Sequence, residues 1–151
     1  MRMLLGIAAF FTLIGFTLTN IAFFTKYWWY DSYYNGGVIP FDSRYDTWYQ
    51  AVCYLMYIAY GLYCLAVVTF IIILIKASRD SCLHGGKPLL YLCSLLNSTL
   101  ATLEAIAFII LATQINDYNT VGYSAYLALA AACFALLVSS ICSYTARRRC
   151  H

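Results

Sequence analysis

The sequence predicts an all-α membrane protein: a four-transmembrane-helix bundle with a small extracellular β-hairpin between helices 1 and 2. Three observations lead there. The 151 residues are 64% apolar and 10% charged, against about 45–50% and about 25% in soluble domains. The apolar residues fall into four long blocks rather than short alternating segments, which excludes a transmembrane β-barrel. The cations gather at one set of block ends. A chain with so few charges cannot cover a water-facing surface, so a cytosolic enzyme of ordinary build, a nucleic-acid binder and a disordered chain are excluded.

Each block justifies one helix, because lipid leaves backbone groups no partner except the chain itself. The first, 3–25, carries no charge and extends roughly 35 Å at 1.5 Å per residue, enough to cross a bilayer. Its apolar stretch exceeds the 7–15 residues usual for a signal-peptide core and no small-x-small site precedes Lys26, so it is expected to remain as a helix. The others are 49–75, 88–113 and 121–146, and 1–151 reads as a single four-span domain.

Charge sets the expected orientation. Lys76, Arg79 and Lys87 stand against Asp80 alone between spans two and three, Arg2 precedes span one, and Arg147, Arg148 and Arg149 follow span four. The first loop holds Lys26 and Arg44 against Asp31, Asp42 and Asp46, and the third holds Asp117 without a cation. Cytoplasmic loops collect Lys and Arg, so both termini are expected in the cytoplasm of a multi-pass protein of the plasma membrane.

The outer loop, 26–48, opens Tyr27-Trp28-Trp29-Tyr30, turns at Asn35-Gly36-Gly37 and resumes at Val38-Ile39-Pro40-Phe41. Asn-Gly supplies the positive φ angles of a tight hairpin, and Pro40 confines its strand to an edge. Candidate partner-binding residues on this loop are Trp28, Trp29, Tyr33, Tyr34, Ile39 and Phe41, with Val38 beside them. The competing role for Trp28, Trp29, Trp48 and Tyr49 is anchoring at the headgroup level, where amphipathic rings gather.

Helices associate in lipid through small residues that let backbones approach. Span three offers Ser94, Ser98, Ala101, Ala105 and Ala112 at helical spacing; span four offers Ala128, Ala132, Ala135, Ser139 and Ser143. Gly6 and Gly15 give span one weaker contact points. Glu104 is the only Glu and the one ionisable residue deep in a span, with Asn97 seven residues before it on nearly the same face. An intramembrane carboxyl is a functional candidate by default. Three roles are open to it: a neutral acid bonded to Asn97, Asn20 or a hydroxyl inside the bundle, a partner for a polar group of another protein's helix, or a carrier of protons or a cationic substrate.

None of the seven cysteines lies in the outer loops, so an extracellular disulfide framework is not expected, and no C-x-x-C is present. Cys82 in the basic loop and Cys150 after three arginines are juxtamembrane candidates for S-palmitoylation. Neither His84 nor His151 stands at ligand spacing from a cysteine pair, and no nucleophile–base set or phosphate cradle occurs. No cofactor, no metal, no nucleic acid and no enzymatic activity are expected.

The chain resembles the four-helix superfamily of the claudins, peripheral myelin protein, epithelial membrane proteins and calcium-channel γ subunits. The resemblance rests on Thr25-Lys26-Tyr27-Trp28-Trp29-Tyr30 after span one and on Thr47-Trp48-Tyr49-Gln50-Ala51-Val52 opening span two. It rests also on Gly122-Tyr123-Ser124-Ala125-Tyr126-Leu127-Ala128 opening span four, followed by a basic tail. Those families carry Gly-Leu-Trp-x-x-Cys…Cys or a related pair in the first outer loop; here that loop is shorter and lacks cysteine. A second similarity is to MARVEL-domain proteins, through Leu90-Tyr91-Leu92-Cys93-Ser94 and Thr102-Leu103-Glu104-Ala105. The resemblance and the residues together lead to one expectation. The protein binds and modulates another integral membrane protein, as an auxiliary subunit of a channel, receptor or transporter does, with membrane lipid and a homo-oligomer as further partners. The alternatives are claudin-like adhesion at cell junctions and, third, transport through Glu104.

Overall fold

The computed structural model describes residues 2–30, 35–39, 46–79, 86–114 and 120–147. Four helices carry the chain: α1 (Arg2–Phe24), α2 (Thr47–Arg79), α3 (Lys87–Gln114) and α4 (Tyr123–Arg147). Each is long and apolar enough to cross a membrane. Among the described residues there are also three two-residue strands: β1 (Trp29–Tyr30), β2 (Asn35–Gly36) and β3 (Thr120–Val121).

Local chemistry explains the ends. The N–H groups of Tyr49 and Gln50 find the Asp46 carbonyl at 2.9 and 3.0 Å, closing the first turn of α2. Pro88 sits in the first turn of α3, where a missing N–H costs nothing. Within the helices, hydroxyls bond back to the carbonyl one turn earlier: Thr12 to Ala8, Thr17 to Leu13, Thr69 to Leu65, Thr99 to Leu95, Thr145 to Ile141. A hydroxyl that cannot reach water is satisfied this way without leaving the helix.

The helices form a ring in which α4 lies against α1 and α3, and α2 lies against α3; the α1–α2 seam is the loosest of the four. Three buried clusters stack along the bundle axis. The first, at the end that bears the strands, gathers Ala22, Trp28, Val38, Tyr49, Val52 and Leu111. Tyr63, Leu100, Ala132 and Ala135 form the middle cluster. Leu5, Phe70, Ile73, Leu90, Val138 and Cys142 form the third, at the end that bears the chain termini. The bundle thus has a sheet end and, opposite it, a tail end.

The expected hairpin is present: β1 pairs antiparallel with β2, Trp29 opposite Gly36 and Tyr30 opposite Asn35. It is also larger than a hairpin. Val121 and Thr120, from the loop before α4, pair antiparallel with Trp29 and Tyr30, giving a three-stranded sheet in the order β2-β1-β3. Two residues without an alternating pattern carry no strand signal in sequence, so β3 is a product of the tertiary fold.

Candidate functional site

The sheet end is built around Trp28. Its side chain is fully enclosed, and its indole N–H donates to the Ala22 carbonyl at 2.7 Å, satisfying one of the orphan acceptors that a helix C-terminus leaves. Its backbone links the sheet: Trp28 N–H donates to the Gly36 carbonyl at 2.9 Å, and Gly122 N–H donates to the Trp28 carbonyl at 2.8 Å. Trp28 therefore belongs to the core that holds both loops together, not to an exposed contact face and not to a ring belt at the headgroups. An indole with a buried donor needs a partner inside the protein, and the end of α1 supplies it.

Glycine makes the close approaches possible. A Cβ on Gly122 would run into the Tyr27 carbonyl, and one on Gly36 would run into the indole of Trp29, which lies over that strand. The same indole meets Tyr49 edge-on at 6.2 Å, and Trp48 meets Tyr49 at 5.5 Å. Val38 is fully buried and Ile39 packs partly buried against the same cluster. The hydroxyls of Thr25 and Ser124, 2.6 Å apart, tie the end of α1 to the start of α4.

What this end leaves outside is tyrosine. Tyr27 is 44% exposed, Tyr30 47% and Tyr123 49%, and the rings of Tyr27 and Tyr123 stack at 5.2 Å across the two loops. Of the candidate contact residues, Trp29 and Ile39 are half-buried. Tyr33, Tyr34 and Phe41 lie outside the described residues, as do Pro40 and the candidate palmitoylation sites Cys82 and Cys150. Tyr27, Tyr30 and Tyr123 could not be singled out from sequence, because fifteen tyrosines compete and local spacing does not tell an outward ring from an inward one.

Inside the bundle, Glu104 is fully buried and reaches across the axis from α3 to α1, where the Thr19 hydroxyl donates to its Oε1 at 3.1 Å. The expected hydroxyl partner is thus Thr19. The two asparagines serve elsewhere: Asn97 donates to the Cys93 carbonyl at 2.8 Å, while Asn20 donates to the Phe16 carbonyl at 2.7 Å and accepts from Tyr60 at 3.1 Å. Glu104 Oε2, the Tyr63 hydroxyl and Asn97 Oδ1 are buried without a hydrogen-bond partner among the described residues. Tyr63 points its phenol at Gly15 of α1, where a Cβ would collide with the hydroxyl.

The small-residue seam joins α3 to α4. Ser94 donates to the Ser139 carbonyl at 3.1 Å and Ser139 donates to the Ser94 carbonyl at 3.0 Å, a reciprocal pair; the Ser143 hydroxyl lies 2.7 Å from that of Ser94. Ala101, Ala128, Ala132 and Ala135 are buried, whereas Ser98 and Ala105 sit half-buried at the margin. Such an arrangement provides shape, rigidity and a surface. Among the described residues no cluster of three His, Cys, Asp or Glu side chains is placed to hold a metal ion.

A family model described as "Tight junction protein, Claudin-like" matches residues 1–151. No curated protein matches the chain.

Proposed function

The chain belongs to the claudin-like tight junction family, and from that premise we propose that it is a non-enzymatic tetraspan of the plasma membrane, with both termini cytosolic, that binds another integral membrane protein and modulates its assembly or gating. The single observation that supports this reading most is the construction of the sheet end. Trp28 locks two loops into one small sheet and leaves Tyr27, Tyr30 and Tyr123 outward on a preorganised surface. A rigid surface with exposed rings loses little conformational entropy on binding, and tyrosine is enriched at such contacts. Trp29, Ile39, Tyr33, Tyr34 and Phe41 are assigned to the same contact region.

Affinity purification of the full chain in mild detergent tests it. A larger membrane protein should co-purify in fixed ratio, and joint substitution of Tyr27 and Tyr30 by Ala should reduce its recovery while the fold is kept. Recovery of the chain alone would refute the reading.

A second reading is favoured by the family itself: adhesion or junction organisation through self-association. In cells that do not otherwise adhere, the expressed chain should then concentrate where two expressing cells touch. Uniform distribution over the surface would count against it. The first outer loop, 26–48, holds no cysteine, and the family match fits the auxiliary and the junction readings equally.

A further inference from the structure

The seam between α1 and α2 is filled by aromatic rings at the sheet end and in the middle of the bundle. There, Phe23 stacks on Tyr60 at 4.5 Å, Phe16 meets Tyr63 edge-on at 5.7 Å, and Tyr60 donates to Asn20. Toward the tail end Leu5, Ala8, Phe70, Ile73 and Ala77 are buried in one cluster, and the outer side of the seam is less filled. A groove of about 330 Å³ opens, lined by Leu5, Gly6, Leu74, Ala77 and Ser78. Past Leu74 a narrower chamber of about 130 Å³ continues it to Thr12 and Val67. A Cβ built on Gly6 meets nothing within 4 Å, so this glycine faces open space rather than a neighbouring helix.

We propose that this groove is a phospholipid site: it holds one acyl chain of an anionic glycerophospholipid from the leaflet on the side of the chain termini. Its length selects the occupant. Eleven residue steps separate Val67 from Ser78, and at 1.5 Å each they span about 16 Å, half of a hydrocarbon core of roughly 30 Å. A partner's transmembrane helix would need the full thickness, and the ring-filled half of the seam denies it that. A single chain entering from one leaflet needs no more than the groove offers.

Charge selects the headgroup. In the sequence, Arg2 is the first residue of α1 and Arg79 the last of α2, so cations stand immediately outside both spans at this end. Lys76 is exposed in the last turn of α2, and the sequence adjoining this mouth holds Asp80 as its one carboxylate. Cations immediately outside a hydrophobic span attract anionic lipid. The inference stands apart from the sheet-end reading: it holds whether or not the tyrosine surface meets a partner.

The test uses the full chain purified in detergent and exchanged against an equimolar mixture of phosphatidylserine and phosphatidylcholine, with retained lipid weighed by native mass spectrometry. One phosphatidylserine per chain should be retained in about fivefold preference over phosphatidylcholine, and joint substitution of Arg2, Lys76 and Arg79 by Gln should erase most of that preference. Filling the groove with Gly6→Leu and Ala9→Leu together should remove the lipid. Retention in the filled variant at the unmodified level, or an equal share of both lipids in the unmodified chain, would overturn the proposal. So would a second copy of the chain found in the groove by crosslinking at Gly6→Cys. Should the filled variant not fold, the unmodified chain in vesicles containing a phosphatidylserine with a photoactivatable acyl chain decides: adducts should map to the α1–α2 groove, and adducts spread evenly over all lipid-facing residues would refute the site.

Discussion

The two halves of the α1–α2 seam show what closes a helix pair in lipid. From the sheet end to the middle of the bundle the seam is filled by Phe23, Tyr60, Phe16 and Tyr63 and crossed by the Asn20–Tyr60 bond. At the tail end Gly6, Ala9 and Ala77 face a gap. Small residues are common to many tight transmembrane interfaces, yet here they mark the open half. The α3–α4 seam explains why. There alanines are matched by alanines and serines on the facing helix, so the backbones approach and the Ser94–Ser139 pair bridges them. Small residues draw helices together only when both surfaces are complementary; facing Leu74 and Phe70 they leave a cleft.

That contrast can be broken or sharpened by substitution, with unfolding of the detergent-solubilised protein followed by SDS titration. The largest effect is expected at Trp28, the residue that seals the sheet end. Trp28→Ala removes a fully buried ring and its bond to Ala22 and should cost about 3–5 kcal/mol. An unfolding curve coincident with the unmodified protein would show that the sheet end is not what closes the seam.

Next is Gly15→Ala, which drives a methyl group into the Tyr63 hydroxyl and should cost about 1–3 kcal/mol. Combined with Tyr63→Phe, the same substitution should cost less than half as much, because the colliding atom is gone; a double-mutant cycle with no coupling would disprove the contact.

In the α3–α4 seam, Ser94→Ala deletes one arm of the reciprocal pair. The expected loss is about 0.6 kcal/mol, the average for hydrogen bonds between transmembrane helices. The smallest effect belongs to the open half: Gly6→Ala adds a methyl where there is space, and stability should stay within about 0.5 kcal/mol of the unmodified chain. A cost comparable to that at Gly15 would mean the tail end is as closed as the sheet end.

Much of this architecture is legible along the chain. The four spans, the α3 and α4 small-residue stripes and the aromatic hairpin each depend on residues within a few turns of one another, so composition and spacing suffice. The candidate site is legible only in part. Trp28 and Trp29 are adjacent and chemically alike, yet one is the enclosed pivot of the sheet end and the other lies over Gly36 as a half-buried cover. Glu104 stands out as the lone intramembrane acid, but nothing near it in sequence identifies Thr19, 85 positions away, as its partner.

By itself the sequence determined the solvent, the number of crossings and which helix faces could come close, because those follow from transfer free energies and local periodicity. Which loop residues turn inward, the third strand lent by the loop before α4 and the groove left along the α1–α2 seam at the tail end emerge only from tertiary packing. Those outcomes depend on contacts such as Thr25 with Ser124, 99 positions apart, whose geometry exists only once all four helices share one axis.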